Sequence, residues 1–183
     1  DWDAWIGAAP MRPYAGPRES IPRGRGPYHP FNWRGVVDYG CGALGDMACH
    51  ITDGVYAIME PSYATTAEPI VMTDAVGEQW PGGMVVKCTY RAKGSWPGFA
   101  TYWYEGKDKG GKPFLPEIPE ELEAEGQKLP TNGNLIIGTK GKLMSSGAYW
   151  GKPQLLPNSR HKEFGLPPEL LERSPGHHAE FFM

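Results

Sequence analysis

The chain has 183 residues, enough for one domain with its own hydrophobic core, and its hydrophobic fraction of 40% and charged fraction of 21% are ordinary for a globular protein. Its formal net charge of −3 argues against the basic surface that nucleic-acid binding requires. No apolar run approaches the ~18 residues of a membrane-spanning helix. We therefore expect neither nucleic acid nor a membrane as a partner.

Residues 1–35 alternate between proline and aromatic residues, so this segment is predicted to be irregular rather than helical. Long ordered loops often carry function, which makes the segment a candidate binding arm. Alternatively, it is a wrapping arm that only covers the core. Arg18, Arg23 and Arg25 form a basic patch in it, a pattern typical of a solvated loop.

A glycine-rich approach leads into a predicted helix over residues 42–59, which Pro61 ends. Gly40, Gly42 and Gly45 leave little side-chain bulk at its start, so another backbone or a ligand could come close. At about 100° per residue, the apolar residues of this helix gather on one side, which is expected to pack on the core. They are Leu44, Met47, Ala48, Ile51, Val55 and Ile58.

The opposite side of the predicted helix carries a polar row, Asp46, His50 and Asp53. Histidine is the residue type best suited to proton transfer near neutral pH, which makes His50 a candidate general base, and Asp46, one turn earlier, is expected to hydrogen-bond its ring. Asp53 could do the same from the other side or cap a neighbouring loop. The alternative is an exposed pair that only stabilises the helix.

Other chemistry is less well supported by the same residues. An Asp46/His50 metal site would need His29, His177 and His178 to converge from distant segments, and we predict no metal. Residues 40–45 match G-x-G-x-x-G, but without a βαβ unit around them, so we reject a dinucleotide loop. The three cysteines show no paired spacing and are expected to be reduced.

Strand patterns follow the helix, separated by Gly/Pro turns. We predict strands within 68–76, 83–92, 98–105, 132–138 and 142–145, the last two forming a hairpin. Short helices are expected within 119–126, over 168–172 and from about 177. The prediction is an α+β fold: an open, mostly antiparallel sheet of five or six strands with helices on one face and long Pro/Gly-rich loops.

Four sequence motifs of this chain together resemble those of a known protein family, and the resemblance covers nearly all of residues 1–183. The motifs are WDAWIG at 2–7, YHPFNWRG at 28–35, DYGCGALGDMACH at 38–50 and RSPGHH at 173–178. With these motifs, the chain resembles the C-terminal domain of the Gfo/Idh/MocA oxidoreductases, in a bacterial branch abundant in planctomycetes and Bacteroidetes.

The resemblance implies a division of labour between two domains. An N-terminal Rossmann domain, absent from these residues, would bind NAD or NADP. The present domain would bind a sugar, polyol or related hydroxyl compound and make homo-oligomer contacts through its open sheet face. The chain opens without methionine and stops where a helix is expected to begin, so we interpret it as a piece of a larger protein, inactive alone.

The resemblance also implies roles for particular residues. His50 would be the acid/base for the substrate hydroxyl, and Asp46 would orient it or bind a sugar hydroxyl. Arg34, Trp33, His177 and His178 would contact the substrate. Two alternatives stay open: an enzyme of the same fold that cleaves glycosides through transient oxidation by NAD, and a non-catalytic carbohydrate-binding or assembly module.

Overall fold

The computed structural model describes residues 1–16, 26–28, 31–170 and 172–183. The predicted basic patch of Arg18, Arg23 and Arg25 lies outside these ranges, as does His29. Within them, helices are combined with two open, antiparallel, three-stranded sheets, which confirms the predicted mixed α+β class. No helix among the described residues is both long and apolar enough to cross a membrane.

The helices are short and lie around the two sheets. They are α1 (Trp2–Ile6), a 3₁₀ helix (Asn32–Gly35), α2 (Gly42–Ile51), α3 (Asp53–Met59), α4 (Glu120–Ala124), α5 (Asn158–Phe164) and α6 (His177–Phe181). The first sheet has the order β1 (Ala64–Met72), β2 (Gly83–Tyr90), β3 (Phe99–Gly106). The second has the order β4 (Gly133–Gly138), β5 (Gly141–Ser146), β6 (Gln154–Leu156). The strands thus form two sheets where we expected one.

The helix predicted over 42–59 is broken at Thr52 into α2 and α3. The Ile51 carbonyl, which would accept from the next turn of a continuous helix, accepts instead from Asn134 Nδ2 at 2.6 Å and Trp150 Nε1 at 2.7 Å. The Thr52 hydroxyl donates back to the Ala48 carbonyl at 2.7 Å, a bond that competes with regular helix geometry. Side chains from the second sheet therefore set the break.

The N-terminal arm is more regular than predicted. Asp1 caps α1, whose Ala4 N–H donates to the Asp1 carboxylate, and the stacked rings of Trp2 and Trp5 lie 5.1 Å apart. The prolines begin only after α1 ends, so they do not oppose it, and the prediction of no helix was wrong for residues 2–6. Buried Arg12 then fixes the arm by ion pairs to Asp38 and Glu78.

Each sheet has its own packing. In the second sheet, Leu122 of α4 packs with Met144 and Leu156 in a fully apolar cluster. The first sheet packs on α3 through two tyrosines, whose hydroxyls lie 2.6 Å apart, Tyr56 on the helix and Tyr90 on β2. Burial, reinforced by the hydrogen bond that joins the Tyr90 and Tyr56 hydroxyls, raises the pKa of Tyr90 far above its ordinary value, so the Tyr90 hydroxyl keeps its proton.

The C-terminal third also departs from the prediction. The described residues of 168–172 are not helical, whereas α5 forms earlier, directly after Pro157. Strand β6, which had no strong alternating pattern, pairs with β5 from Lys142–Leu156 to Met144–Gln154. The hairpin of β4 and β5 and the helix beginning at His177 are confirmed.

Candidate functional site

Helix α2 starts in a tightly packed environment. A Cβ on Gly42 would lie 3.1 Å from the Trp80 ring, whose Nε1 donates to the Gly40 carbonyl at 2.7 Å. A Cβ on Gly40 would overlap the Arg34 backbone, and one on Gly45 would overlap a side chain of the preceding turn. These glycines are therefore explained by the packing of the chain on itself.

Arg34 in the 3₁₀ helix is paired with Asp46 on α2. Its Nε donates to Asp46 Oδ1 at 2.8 Å, and both side chains are about one-third exposed, at 32% and 30%. The guanidinium carbon lies 5.1 Å from the centre of the Phe31 ring and 4.9 Å from that of Trp33. Two aromatic rings and a carboxylate thus contact this cation.

The Arg34–Asp46 pair forms part of the wall of a cleft of about 540 Å³, in the size range of small-molecule sites. The cleft separates the 3₁₀ helix and the residues before it from the first turns of α2. It is lined by Pro27, Phe31, Asn32, Arg34, Gly35, Gly42, Ala43, Asp46, Met47 and Gln79. It combines apolar walls with a few amide and charged groups, which suits a ligand with both C–H and hydroxyl surfaces.

His50 lies one turn after Asp46, about 6 Å further along α2, and is exposed. The hydrogen bond predicted between Asp46 and His50 is absent from the described structure, in which Asp46 Oδ1 accepts from Arg34 Nε. The His50 ring meets Tyr149 edge to face, with ring centres 5.0 Å apart and planes at 65°. The polar row therefore has an ionic end at Asp46 and an aromatic end at His50.

Tyr149 is the residue of this region that sequence reasoning missed. It belongs to the loop between β5 and β6 and is 72% exposed. The sequence signal was two adjacent aromatic residues between glycines, Gly147-Ala148-Tyr149-Trp150-Gly151, inside a stretch interpreted only as a proline-rich loop. Nothing in that pattern indicates contact with a helix almost a hundred residues earlier.

Among the described residues, the predicted site residues that line the cleft are Arg34 and Asp46, and His50 lies outside that lining. Trp33 supports the Arg34 guanidinium rather than lining the cleft. His177 and His178 are exposed at the start of α6, their ring centres 4.0 Å apart, and neither lines the cleft in the part of the chain that the structure describes. Asp53 is exposed in the first turn of α3.

Among residues 1–16, 26–28, 31–170 and 172–183, no group of three or more His, Cys, Asp or Glu side chains is arranged to hold an ion. The convergence of Asp46 and His50 with His177 and His178 is not formed there, and His29 lies outside these ranges.

Comparison with models of known protein families finds no matching family, and no curated protein matches the chain significantly. The site must therefore be interpreted from its own chemistry. It offers a paired cation and carboxylate that can bind hydroxyl groups, an exposed imidazole that can transfer a proton, and an aromatic ring beside that imidazole.

Proposed function

We propose that this chain is the substrate-binding half of an NAD(P)-dependent oxidoreductase that acts on a sugar, polyol or related hydroxyl compound. The observation that carries the proposal is the row on α2. Asp46, paired with Arg34 at the wall of a cleft, lies one turn from the exposed imidazole of His50. The resemblance to the C-terminal domain of Gfo/Idh/MocA oxidoreductases agrees with it.

In this proposal His50 removes the proton of the substrate hydroxyl that is oxidised. The Asp46 carboxylate accepts a hydrogen bond from a neighbouring hydroxyl and Arg34 donates one, so that together they orient the substrate. Asp46 thus acts on the substrate, whereas the sequence-based hypothesis also allowed it to orient His50. His177 and His178 remain proposed substrate contacts, with no contact to the cleft in support.

The cofactor belongs to another domain in this proposal. NAD or NADP would be bound mainly by a Rossmann domain and would accept the hydride of the oxidised carbinol. The glycine-rich turn before α2 is filled by Trp80 and the Arg34 backbone, so we assign it no role in cofactor binding. Homo-oligomer formation through the exposed face of the first sheet, which carries Tyr102 at 50% exposure, is part of the same proposal.

The test is kinetic and uses the full-length protein. His50→Ala is expected to lower kcat for sugar or polyol oxidation, followed as NADH or NADPH formation, by about 10²- to 10⁴-fold, the usual contribution of a general base. Cys49→Ala is the matched control: it removes an exposed neighbour that points about 100° away around the helix. That control should retain wild-type turnover.

The outcome also separates the alternatives. Unchanged turnover in His50→Ala would reject this residue as the acid/base. Glycoside cleavage without net NADH or NADPH would assign the protein to redox-assisted elimination on the same fold. Sugar binding with neither reaction would leave a carbohydrate-binding module.

A further inference from the structure

We propose that Tyr149 is a substrate-contacting residue, whose ring forms the platform on which the sugar or polyol rests while His50 faces the reacting hydroxyl. This inference rests on the proposed function and adds to it a binding residue from the second sheet. Tyr149 comes from the loop between β5 and β6, and it contacts His50 with ring centres 5.0 Å apart.

The loop that carries Tyr149 is anchored on α2. The neighbouring Trp150 donates from Nε1, at 2.7 Å, to the carbonyl of Ile51, which is the residue after His50. Its ring lies over Gly54 of α3, where any Cβ would overlap it. The helix break at Thr52 and the absence of a side chain at Gly54 thus create a place for an indole.

Trp150 also has an unfavourable backbone conformation. Its φ is +49°, in the left-handed region that residues with a β-carbon rarely adopt. Hydrogen bonds on both sides hold the loop: Gly147 N–H donates to Asn132 O at 2.8 Å, and Gly151 N–H to Ser146 O at 3.0 Å. This conformation turns the two adjacent aromatic residues to different environments, Trp150 into the helix junction and Tyr149 outward.

The exposure of Tyr149 is what the anchoring leaves unexplained. A half-buried Trp150 accounts for attachment of the loop, yet Tyr149 keeps 72% of its surface in contact with solvent while its ring lies against the exposed His50. Aromatic rings pack well against the C–H faces of sugars and polyols, and a ring already fixed in position loses little conformational entropy when a ligand covers it. The exposed ring beside the imidazole therefore matches the substrate class proposed above.

Binding is tested first. The full-length protein, with ¹³C-labelled tyrosine and histidine rings, is titrated with a panel of aldoses, alditols and methyl glycosides, and the resonances are assigned with Tyr149→Phe and His50→Ala. We expect a panel member to shift the Tyr149 and His50 resonances together. A member that shifts His50 but leaves Tyr149 unmoved overturns the inference. If no member shifts either ring, the inference and the proposed function both fail.

Kinetics with the substrate found in the panel then separate the two claims. Tyr149→Ala should raise KM about tenfold with kcat within about threefold of wild type, whereas Tyr149→Phe, which keeps the ring, should change neither by more than about threefold. An unchanged KM in Tyr149→Ala, or a loss confined to kcat, overturns the inference. Unchanged kcat in His50→Ala together with a raised KM in Tyr149→Ala overturns the proposed function alone.

Tyr63→Ala is the matched control, because Tyr63 is exposed to the same degree, at 70%, but lies before β1 and outside the site. Its KM should equal that of wild type, so a raised KM in this control overturns the inference. If Tyr149→Ala melts earlier than Tyr63→Ala, Tyr149→Leu is used in its place, because it keeps apolar bulk but loses the flat ring. The tenfold rise in KM is expected for that variant as well.

Discussion

The two ends of helix α2 are attached to the rest of the molecule by different kinds of interaction. At the first turns, Asp46 is joined to Arg34 by an ion pair that stands at the wall of a cleft and is about one-third exposed. At the last residue, the Ile51 carbonyl accepts two neutral hydrogen bonds, from Asn134 and Trp150. The strength of the first attachment depends on charge and on exposure to solvent. The strength of the second depends on hydrogen-bond geometry and packing.

This difference suggests how the helix supports a site. Exposed charge pairs contribute little to stability and can exchange partners with a polar ligand, so the Asp46 end can respond to the substrate that we propose. A helix end held by neutral bonds and an indole over Gly54 stays in place, so the His50 end keeps its geometry. The predictions below change one end at a time.

The largest effect is expected from Trp150→Ala. This change removes the indole from the helix junction and one of two donors to the Ile51 carbonyl, and we expect a loss of about 3 kcal/mol in unfolding free energy, measured by urea denaturation. Because Trp150 is only half-buried, we place this loss at the low end of the losses typical of truncating buried aromatic residues. Tyr149→Ala, at the exposed neighbour, should cost no more than about 0.5 kcal/mol. Equal losses would mean that the indole is not the anchor.

Gly54→Ala tests the same contact between Trp150 and the helix junction, by a change on α3 instead of on the loop. The added methyl would overlap the Trp150 ring, so we expect a loss of about 1–3 kcal/mol, typical of overpacking, although alanine is the better helix former. Gly35→Ala is the control, because a Cβ there meets nothing within 4 Å. It should stay within about 0.5 kcal/mol of wild type. A neutral or stabilising Gly54→Ala would contradict the packing described for Trp150.

Local patterns were sufficient to predict part of this arrangement. The 3.6-residue period identified α2 and its row of Asp46 and His50, and alternation in 83–92 predicted β2, observed as Gly83–Tyr90. The turn Thr139-Lys140-Gly141 predicted the β4–β5 hairpin. In each case the determining residues lie close together in sequence.

The remainder depends on contacts that are distant in sequence. The end of α2 at Ile51 is set by partners 83 and 99 residues away, so the helical period alone extended it to residue 59. Arg34 was predicted as a site residue, but its pairing with Asp46 needed the 3₁₀ helix to bring the two together, and a charge in a loop has no periodicity to reveal its partner. Tyr149 was missed for the same reason.

Asn134→Ala is expected to have a moderate effect. It removes the 2.6 Å hydrogen bond to Ile51 O but leaves the bond from Trp150, so the carbonyl keeps a partner and the loss should be about 1 kcal/mol. Because both groups are neutral, the loss should be the same in low and high salt. A marked dependence on salt would show that charge also acts at this end of the helix.

The smallest effect is expected from Asp46→Asn at the other end. The amide oxygen can still accept from Arg34 Nε, so only the charge is removed, and we expect a loss of about 0.5 kcal/mol in low salt. Raising the ionic strength to ~1 M shortens the screening length to ~3 Å and should reduce that loss further. Asn134→Ala, measured in parallel, is the salt-independent reference. If Asp46→Asn proves as costly as Asn134→Ala and equally indifferent to salt, the ion pair is a rigid structural contact. Asp46 would then not exchange Arg34 for a substrate hydroxyl, and both ends of α2 would be held equally rigidly.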